Sequence, residues 1–177
     1  MQMCVCLEGV AANLMELIEM TPGHWDAVKN IYLQGIATKQ ATFQTTAPDW
    51  EEWNTSHLPN LRYVAIVEDS IAGWSALTPV SGRCVYAGVT EVSIYVHRDF
   101  RAQGIGQALL QKLITESEKE NIWTLQAGIF PENLSSIRLH EKLGFRKIGY
   151  REKIGKLDGV WRDTILLERR SEITGQD

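Results

Sequence analysis

The sequence predicts a single mixed α/β domain, and three observations lead there. Its 177 residues fit the usual ~100–200 residues per domain. Its composition, 44% hydrophobic and 23% charged, is that of a folded globular chain and argues against disorder, collagen-like repeats or a disulfide scaffold. Stretches of period-two alternation interleave with stretches of three- and four-residue spacing, so strands and helices follow one another without internal repeat or linker.

The elements follow in order. Leu17 to Met20 is a short apolar run that reads as a strand, and Thr21-Pro22 starts a helix with Thr as N-cap and Pro in the first turn. Trp25, Val28, Ile31, Tyr32 and Ile36 then lie on one face of that helix. Ala41 to Thr45 has strand-like residues between polar stretches, and Pro48-Asp49 opens a short helix carrying Trp50 and Trp53, so this front section is expected to be rich in loops. Arg62–Val67 and Ile71–Leu77, joined by Glu68-Asp69-Ser70, form an antiparallel hairpin.

In Val89–Val96, Val92, Ile94 and Val96 alternate with Glu91, Ser93 and Tyr95, which sends one face to the core and leaves polar groups on the other. From Gly104 to Glu120, Ile105, Ala108, Leu109 and Leu113 make the apolar face of an amphipathic helix. Trp123 to Ile129 is a strand, Pro131-Glu132-Asn133 starts a helix through Leu143, and Gly144 ends it with positive φ. The chain closes on a hairpin, Phe145–Ile154 and Val160–Leu167, turning at Asp158-Gly159.

Charge and cysteine content narrow the function. Lys plus Arg number 18 against 22 Asp plus Glu, a formal charge of −4, so no global basic field draws the chain to nucleic acid or to an anionic membrane. An anion, if bound, must be held locally. Cys4, Cys6 and Cys84 cannot all pair, and Cys4 and Cys6 are too close for a zinc knuckle, so they read as reduced thiols of a cytoplasmic protein. His24, His57, His97 and His140 show no metal-ligand spacing, and no metal is expected. The apolar start of the chain carries Glu8 and is far short of the ~18 residues of a membrane span.

The stretch with most chemical content is Arg101-Ala102-Gln103-Gly104-Ile105-Gly106, set between a strand and a helix. Two glycines allow close backbone approach, and a helix N-terminus with free N–H groups favours an anion such as a pyrophosphate. A Rossmann fingerprint fails because Leu109 stands where a small residue is needed and Leu125-Gln126-Ala127 supplies no acid. A P-loop fails because Gln107-Ala108 replaces its Lys-Ser/Thr. By itself the motif could also be a plain helix-start turn.

The R-x-x-G-x-G form that remains resembles the pyrophosphate loop of the GCN5-related N-acetyltransferases. A second segment, Asn133-Leu-Ser-Ser136-Ile-Arg-Leu-His140-Glu-Lys-Leu-Gly144-Phe145, resembles that family's N-x-x-A/S-x-x-x-Y and G-F pattern, with His in place of Tyr. Gly35–Phe43, Glu91–Val96 and Leu139–Phe145 are similar to its phosphinothricin and methionine-sulfoximine acetyltransferase branch. The resemblance spans residues 17–167. It implies a single domain over 17–170, with 1–16 as an N-terminal extension and 171–177 as a tail, and a mostly antiparallel twisted sheet splayed between two strands. It also implies acetyl-CoA as cosubstrate, a homodimer, and as small-molecule acceptor the amino group of an amino acid analogue such as phosphinothricin, methionine sulfoximine or methionine sulfone; another amine (a protein N-terminus or a polyamine) and a non-catalytic acyl-CoA sensor are the alternatives.

Acetyl transfer to an amine needs an uncharged amine, a polarised carbonyl and a proton for the departing thiolate. Glu91 is the candidate base, sharing a strand face with Ser93 and Tyr95, though the same position suits a solvated carboxylate. His140 is a candidate proton donor to the thiolate, with cleft lining or plain packing as alternatives. The resemblance gives the pantetheine chain and acetyl carbonyl to the backbone of Ile94, Tyr95 and Val96, and the pyrophosphate to Gln103, Gly104, Ile105, Gly106 and Gln107. Arg101 and Ala102 flank that loop, and Asn133 and Ser136 contact the coenzyme from the second segment. Asn133 can equally cap its helix. For the acceptor, Arg83 and Tyr86 resemble a substrate-side pair, Arg83 having an ordinary loop residue as its alternative. Thr42 and Phe43 resemble pocket walls. Trp161 is expected in the core or a dimer contact, and Arg162 stands where the family is usually apolar.

Overall fold

The computed structural model describes residues 15–176, so Cys4, Cys6 and most of the expected N-terminal extension lie outside the described residues. A seven-stranded sheet has the order β1-β2-β3-β4-β5-β7-β6. Its strands are β1 (Glu16–Glu19), β2 (Tyr63–Val67), β3 (Ser70–Pro79), β4 (Val89–Val96), β5 (Thr124–Ile129), β6 (Arg146–Leu157) and β7 (Val160–Arg170). The helices are α1 (Trp25–Ala37), α2 (Trp50–Ser56), α3 (Ile105–Lys119) and α4 (Leu134–Lys142). Every pairing is antiparallel except β4 with β5.

That parallel pair decides where a ligand can enter. β4 and β5 pair only over Val89/Thr124, Thr90/Leu125 and Glu91/Gln126, and β4 then runs on to Val96 without β5 beside it. Beyond Glu91 the facing N–H and C=O groups of the two strands have no ladder partners in each other. A strand edge opened in mid-sheet is a row of donors and acceptors.

The expected elements are present, with differences at their ends. Residues Pro22–His24 form a 3₁₀ turn before α1. The backbone N–H of Thr21 donates to Nδ1 of His24 at 3.1 Å and closes that turn, so the α-helix begins at Trp25. Asp49 caps α2 through Glu52 N–H at 2.9 Å. Glu68 and Asp69 both take positive φ, as a tight two-residue hairpin needs. Residues 38–49 form no helix or strand, as the loop-rich reading expects.

Both faces of the sheet are covered. Val92, Ile94 and Val96 pack with Leu109, Leu113, Leu125 and Ile137 in the larger core under α3 and α4. The opposite face of β4 is less polar than the alternation suggested. Tyr95 stacks on Trp74 at 4.8 Å and meets Tyr32 edge-on at 4.9 Å, inside a second core with Trp25, Val28, Ile31 and Trp53 under α1 and α2. Of the two places expected for Trp161 the core is excluded, the ring being 53% exposed with Lys156 Nζ 4.7 Å over it.

Candidate active site

The divergence of β4 from β5 opens a cavity of about 360 Å³, within the ~300–1,000 Å³ of ligand pockets. It passes through the sheet, which is why it has lining residues from both layers. Glu91, Ser93 and Tyr95 face one side, Val92 and Ile94 the other, with Gly128 and Ile129 on the β5 wall. Thr42 and Phe43 close one end from the loop after α1, while Asn133, Ser136 and His140 come from α4.

Glu91, an exposed residue, stands at the last rung of the parallel ladder and opposite Thr78 of β3, so its backbone is held by two neighbouring strands where it lines the cleft. Gly128 permits this closeness. A Cβ there would lie 3.4 Å from Glu91 Oε1 and 2.8 Å from Arg151 Nη2, so a carboxylate and a guanidinium converge over one bare stretch of β5. Arg151 is steadied by its Nε donating to Thr164 Oγ1 at 3.1 Å.

His140 is 4% exposed. Its Nδ1 lies 2.8 Å from the carbonyl oxygen of Ser136, which only accepts, so Nδ1 carries the hydrogen. Nε2 is then a lone-pair acceptor, buried and without a partner among the described residues. Burial pushes the imidazole pKa down and favours the neutral ring. Tyr95 differs in kind: burial pushes its phenol up, and its ring meets Tyr32 of α1 edge-on where both line the cleft with Thr42 of the front loop.

Asn133 caps α4 through Ser136 N–H at 3.2 Å and donates from Nδ2 to the Gln40 carbonyl at 3.2 Å. Arg162 has a clear function here. It donates to the Lys39 carbonyl and to Glu132, both at 3.1 Å, and lies 4.4 Å over Phe130. With the Lys39–Asp158 ion pair at 2.6 Å and Phe43 edge-on to Phe130 at 4.8 Å, it fastens the front loop over the cleft.

The glycine loop lies beyond the cavity, at the Val96 end of β4. Gly104 has φ +82 and, unlike the caps of α2 and α4, offers no side chain to the first turn of α3. The first-turn N–H groups of an α-helix have no intrahelical acceptor, so Ile105, Gly106 and Gln107 present amides there. Arg101, Ala102, Gln103 and Gly104 are exposed, and Ala102 also has positive φ. The side chain of Ile105 is core, so it can serve an anion only through its backbone, while the Gln107 side-chain oxygen accepts from Lys142 at 2.7 Å. Gly104→Val puts a β-branched residue at φ +82, costing ~1–2 kcal/mol in the loop conformation. We expect a roughly tenfold weaker coenzyme affinity by calorimetry; unchanged affinity would contradict the pyrophosphate assignment.

Arg83 and Tyr86 do not join this site within one chain. They pack on each other at 5.6 Å, and Tyr86 borders a separate depression with Val80, Val89 and Glu168. Nothing in the sequence pattern flagged Tyr32, His57, Thr78, Phe130 or Arg151, which the fold brings to the cleft or its rim. Among the described residues no group of His, Cys, Asp or Glu could hold a metal ion, and no helix is long and apolar enough to cross a membrane.

A sheet parted between two parallel strands, with a carboxylate at the fork and a glycine-led helix start beyond it, has the architecture that the resemblance to the N-acetyltransferases implies. Residues 25–145 match the family model described as "Acetyltransferase (GNAT) family", and the chain belongs to that family of N-acetyltransferases. It is 35% identical over 169 residues to an L-methionine sulfoximine/L-methionine sulfone acetyltransferase of Pseudomonas aeruginosa, covering 92% of this chain and 87% of that one. A phosphinothricin acetyltransferase from Sinorhizobium meliloti, solved in complex with acetyl-CoA, superposes with TM-score 0.83 at 26% identity, covering 92% and 91%. A ribosomal-protein-alanine N-acetyltransferase from Brucella melitensis superposes with TM-score 0.81 at 27% identity, covering 88% and 99%. The chain is thus an acetyl-CoA-dependent acetyltransferase of the phosphinothricin and methionine-sulfoximine branch.

Proposed function

We propose that the chain acetylates the α-amino group of a small amino acid analogue: methionine sulfoximine, methionine sulfone or a phosphinothricin-like compound. The observation that carries this reading is the placement of Glu91 in the lining of a cleft of about 360 Å³, walled by a fastened front loop. The names of its relatives support the same acceptor class.

In this reading Glu91, directly or through water, takes a proton from the ammonium. The freed amine attacks the thioester carbonyl, whose developing negative charge meets the unpaired β4 amides between Ile94 and Val96. The second amine proton passes to Nε2 of His140 and from there to the departing thiolate, so the products are the amide and the thiol. A neutral His140 must accept before it donates, which suits its tautomer. Asn133 and Ser136 contact the pantetheine, and the loop Arg101–Gln107 takes the pyrophosphate. Thr42 and Phe43 bound the acceptor. Arg151, beside Glu91, is the guanidinium this cleft offers an amino acid carboxylate. Arg83 and Tyr86 retain their substrate-side assignment only if a partner copy presents them. A cytoplasmic homodimer belongs to the same reading, and the exposed Val85, Tyr86 and Trp161 provide apolar surface for it.

The Brucella neighbour keeps a second acceptor in view, the N-terminus of a protein. Thiol release from acetyl-CoA over a panel of methionine sulfoximine, methionine sulfone, phosphinothricin, a polyamine and an alanine-led peptide separates the two. Turnover is expected with the amino acid analogues; turnover with the peptide or polyamine alone overturns the substrate reading and leaves the family in place.

A further inference from the structure

His57, at the end of α2, is held as firmly as a designed ligand contact. Its Nδ1 lies 2.7 Å from the carbonyl oxygen of Trp53, which only accepts, and 2.9 Å from Ser56 Oγ, whose own hydrogen goes to that same carbonyl, so Nδ1 carries the hydrogen. Its ring stacks on the Trp53 indole at 4.0 Å and 19°. On the same indole, at 5.2 Å, lies Arg62, 6% exposed, which donates to Asn54 Oδ1 and to the carbonyls of Asn54, His57 and Leu58. Burial pushes the His57 pKa down and the Arg62 charge adds to this, so the ring is neutral. With Nδ1 turned to its own helix, Nε2 is the ring nitrogen left open, and it is a lone pair.

The place of that lone pair follows from the sheet. Leu58 N–H donates to Leu77 O at 2.9 Å, which sets His57 beside β3 next to Thr78, and Thr78 pairs with Glu91. His57, Thr78 and Glu91 all line the cleft. Across its floor the order is therefore His57, Thr78, Glu91, and then the gap to β5 where the thioester must lie. An acceptor with its amine at Glu91 has its remaining length toward the β3 side, under His57.

We propose that His57 is a specificity-determining residue: Nε2 accepts a hydrogen bond from an N–H or O–H on the far end of the acceptor side chain. This rests on the acceptor class proposed above. Methionine sulfoximine and methionine sulfone form the matched pair that isolates it, since one S=NH becomes S=O and a donor is lost with little change of shape. The sulfone oxygen brings a lone pair against a lone pair.

The test is kcat/KM for the two compounds in the native enzyme and in His57→Asn, whose amide can still donate to the Trp53 carbonyl but has no atom at the Nε2 position. The native enzyme is expected to prefer the sulfoximine by about tenfold, the value of one hydrogen bond of ~1.4 kcal/mol. The preference should sit in KM rather than kcat, and His57→Asn should erase it while KM for acetyl-CoA is unmoved. Should the variant fail to fold, ¹⁵N NMR of the native protein decides: the sulfoximine, and not the sulfone, shifts the His57 Nε2 resonance. An equal ratio of the two substrates in both proteins, or an unmoved resonance, overturns the proposal while leaving the acceptor class intact. Turnover of neither compound, with thiol release persisting on a peptide or polyamine, overturns both.

Discussion

Glu91→Gln is expected to lower kcat/KM for the amine by about 10²- to 10⁴-fold, the usual contribution of a positioned general base. Glutamine keeps the size and the place beside Thr78 and Gly128, so the cleft and the coenzyme loop are undisturbed. What it loses is the proton acceptor. The ammonium must then lose its proton to bulk water before it reaches the site, and the variant's rate should climb with pH as the free-amine fraction rises. Steady-state kinetics over about pH 6 to 9 check both parts. A variant with the native rate across that range removes Glu91 as base and returns it to the role of a solvated strand carboxylate.

Trp74→Ala carries the largest expected loss of stability, about 3–5 kcal/mol. Trp74 is 1% exposed and touches three aromatic neighbours, stacking on Tyr95 at 4.8 Å and meeting Tyr32 and Trp53 edge-on at 5.7 Å. Removing the indole leaves a void between the sheet and the α1/α2 layer that large rings cannot close by small movements. In a domain of this size the loss corresponds to a drop in Tm of roughly 10 °C. The same void unseats Tyr95, so the surviving folded enzyme should also show a raised KM for acetyl-CoA. Denaturant unfolding measures the first effect and kinetics the second. A loss below about 1 kcal/mol would show that the second core repacks around the gap.

The elements were legible because their signals are local. The Asp158-Gly159 turn needs residues that tolerate positive φ, and those residues stand there, whereas at the first hairpin Asp69 fits and Glu68 takes φ +48 without such a preference. Asp49 and Asn133 precede their helices because a short polar side chain can reach the second or third N–H. The candidate base was legible for the same reason, since alternation puts Glu91 on the face opposite Val92. Tyr95 was the misleading member of that alternation. Period two says which face a residue takes and not what covers that face, and here α1 and α2 cover it.

Residues acting across the chain had no such signal. Arg162 breaks the family's apolar pattern, and only the contact of the closing hairpin with the front loop explains it, through the Lys39 carbonyl and Glu132. Arg151 comes over Gly128, near Glu91, because β6 and β7 are threaded beside β5, far along the sequence. Arg83 shows the converse: a resemblance put it with the substrate, while within one chain it packs on Tyr86 away from the cleft.

Thus the sequence by itself determined the order of strands and helices, the glycine-led helix start and the face taken by the carboxylate at residue 91, since each depends on spacing within a dozen or so residues, while the family resemblance rested on several such motifs in order along the chain. Only the tertiary structure decided that β4 and β5 part after Glu91, that Nδ1 of His140 and of His57 turns to a backbone carbonyl of its own helix, and that Arg151 comes over Gly128 beside the cleft. The first and last of these are distances between residues whose separation along the chain is far greater than their separation in space. A one-dimensional pattern does not encode them until the sheet order is known.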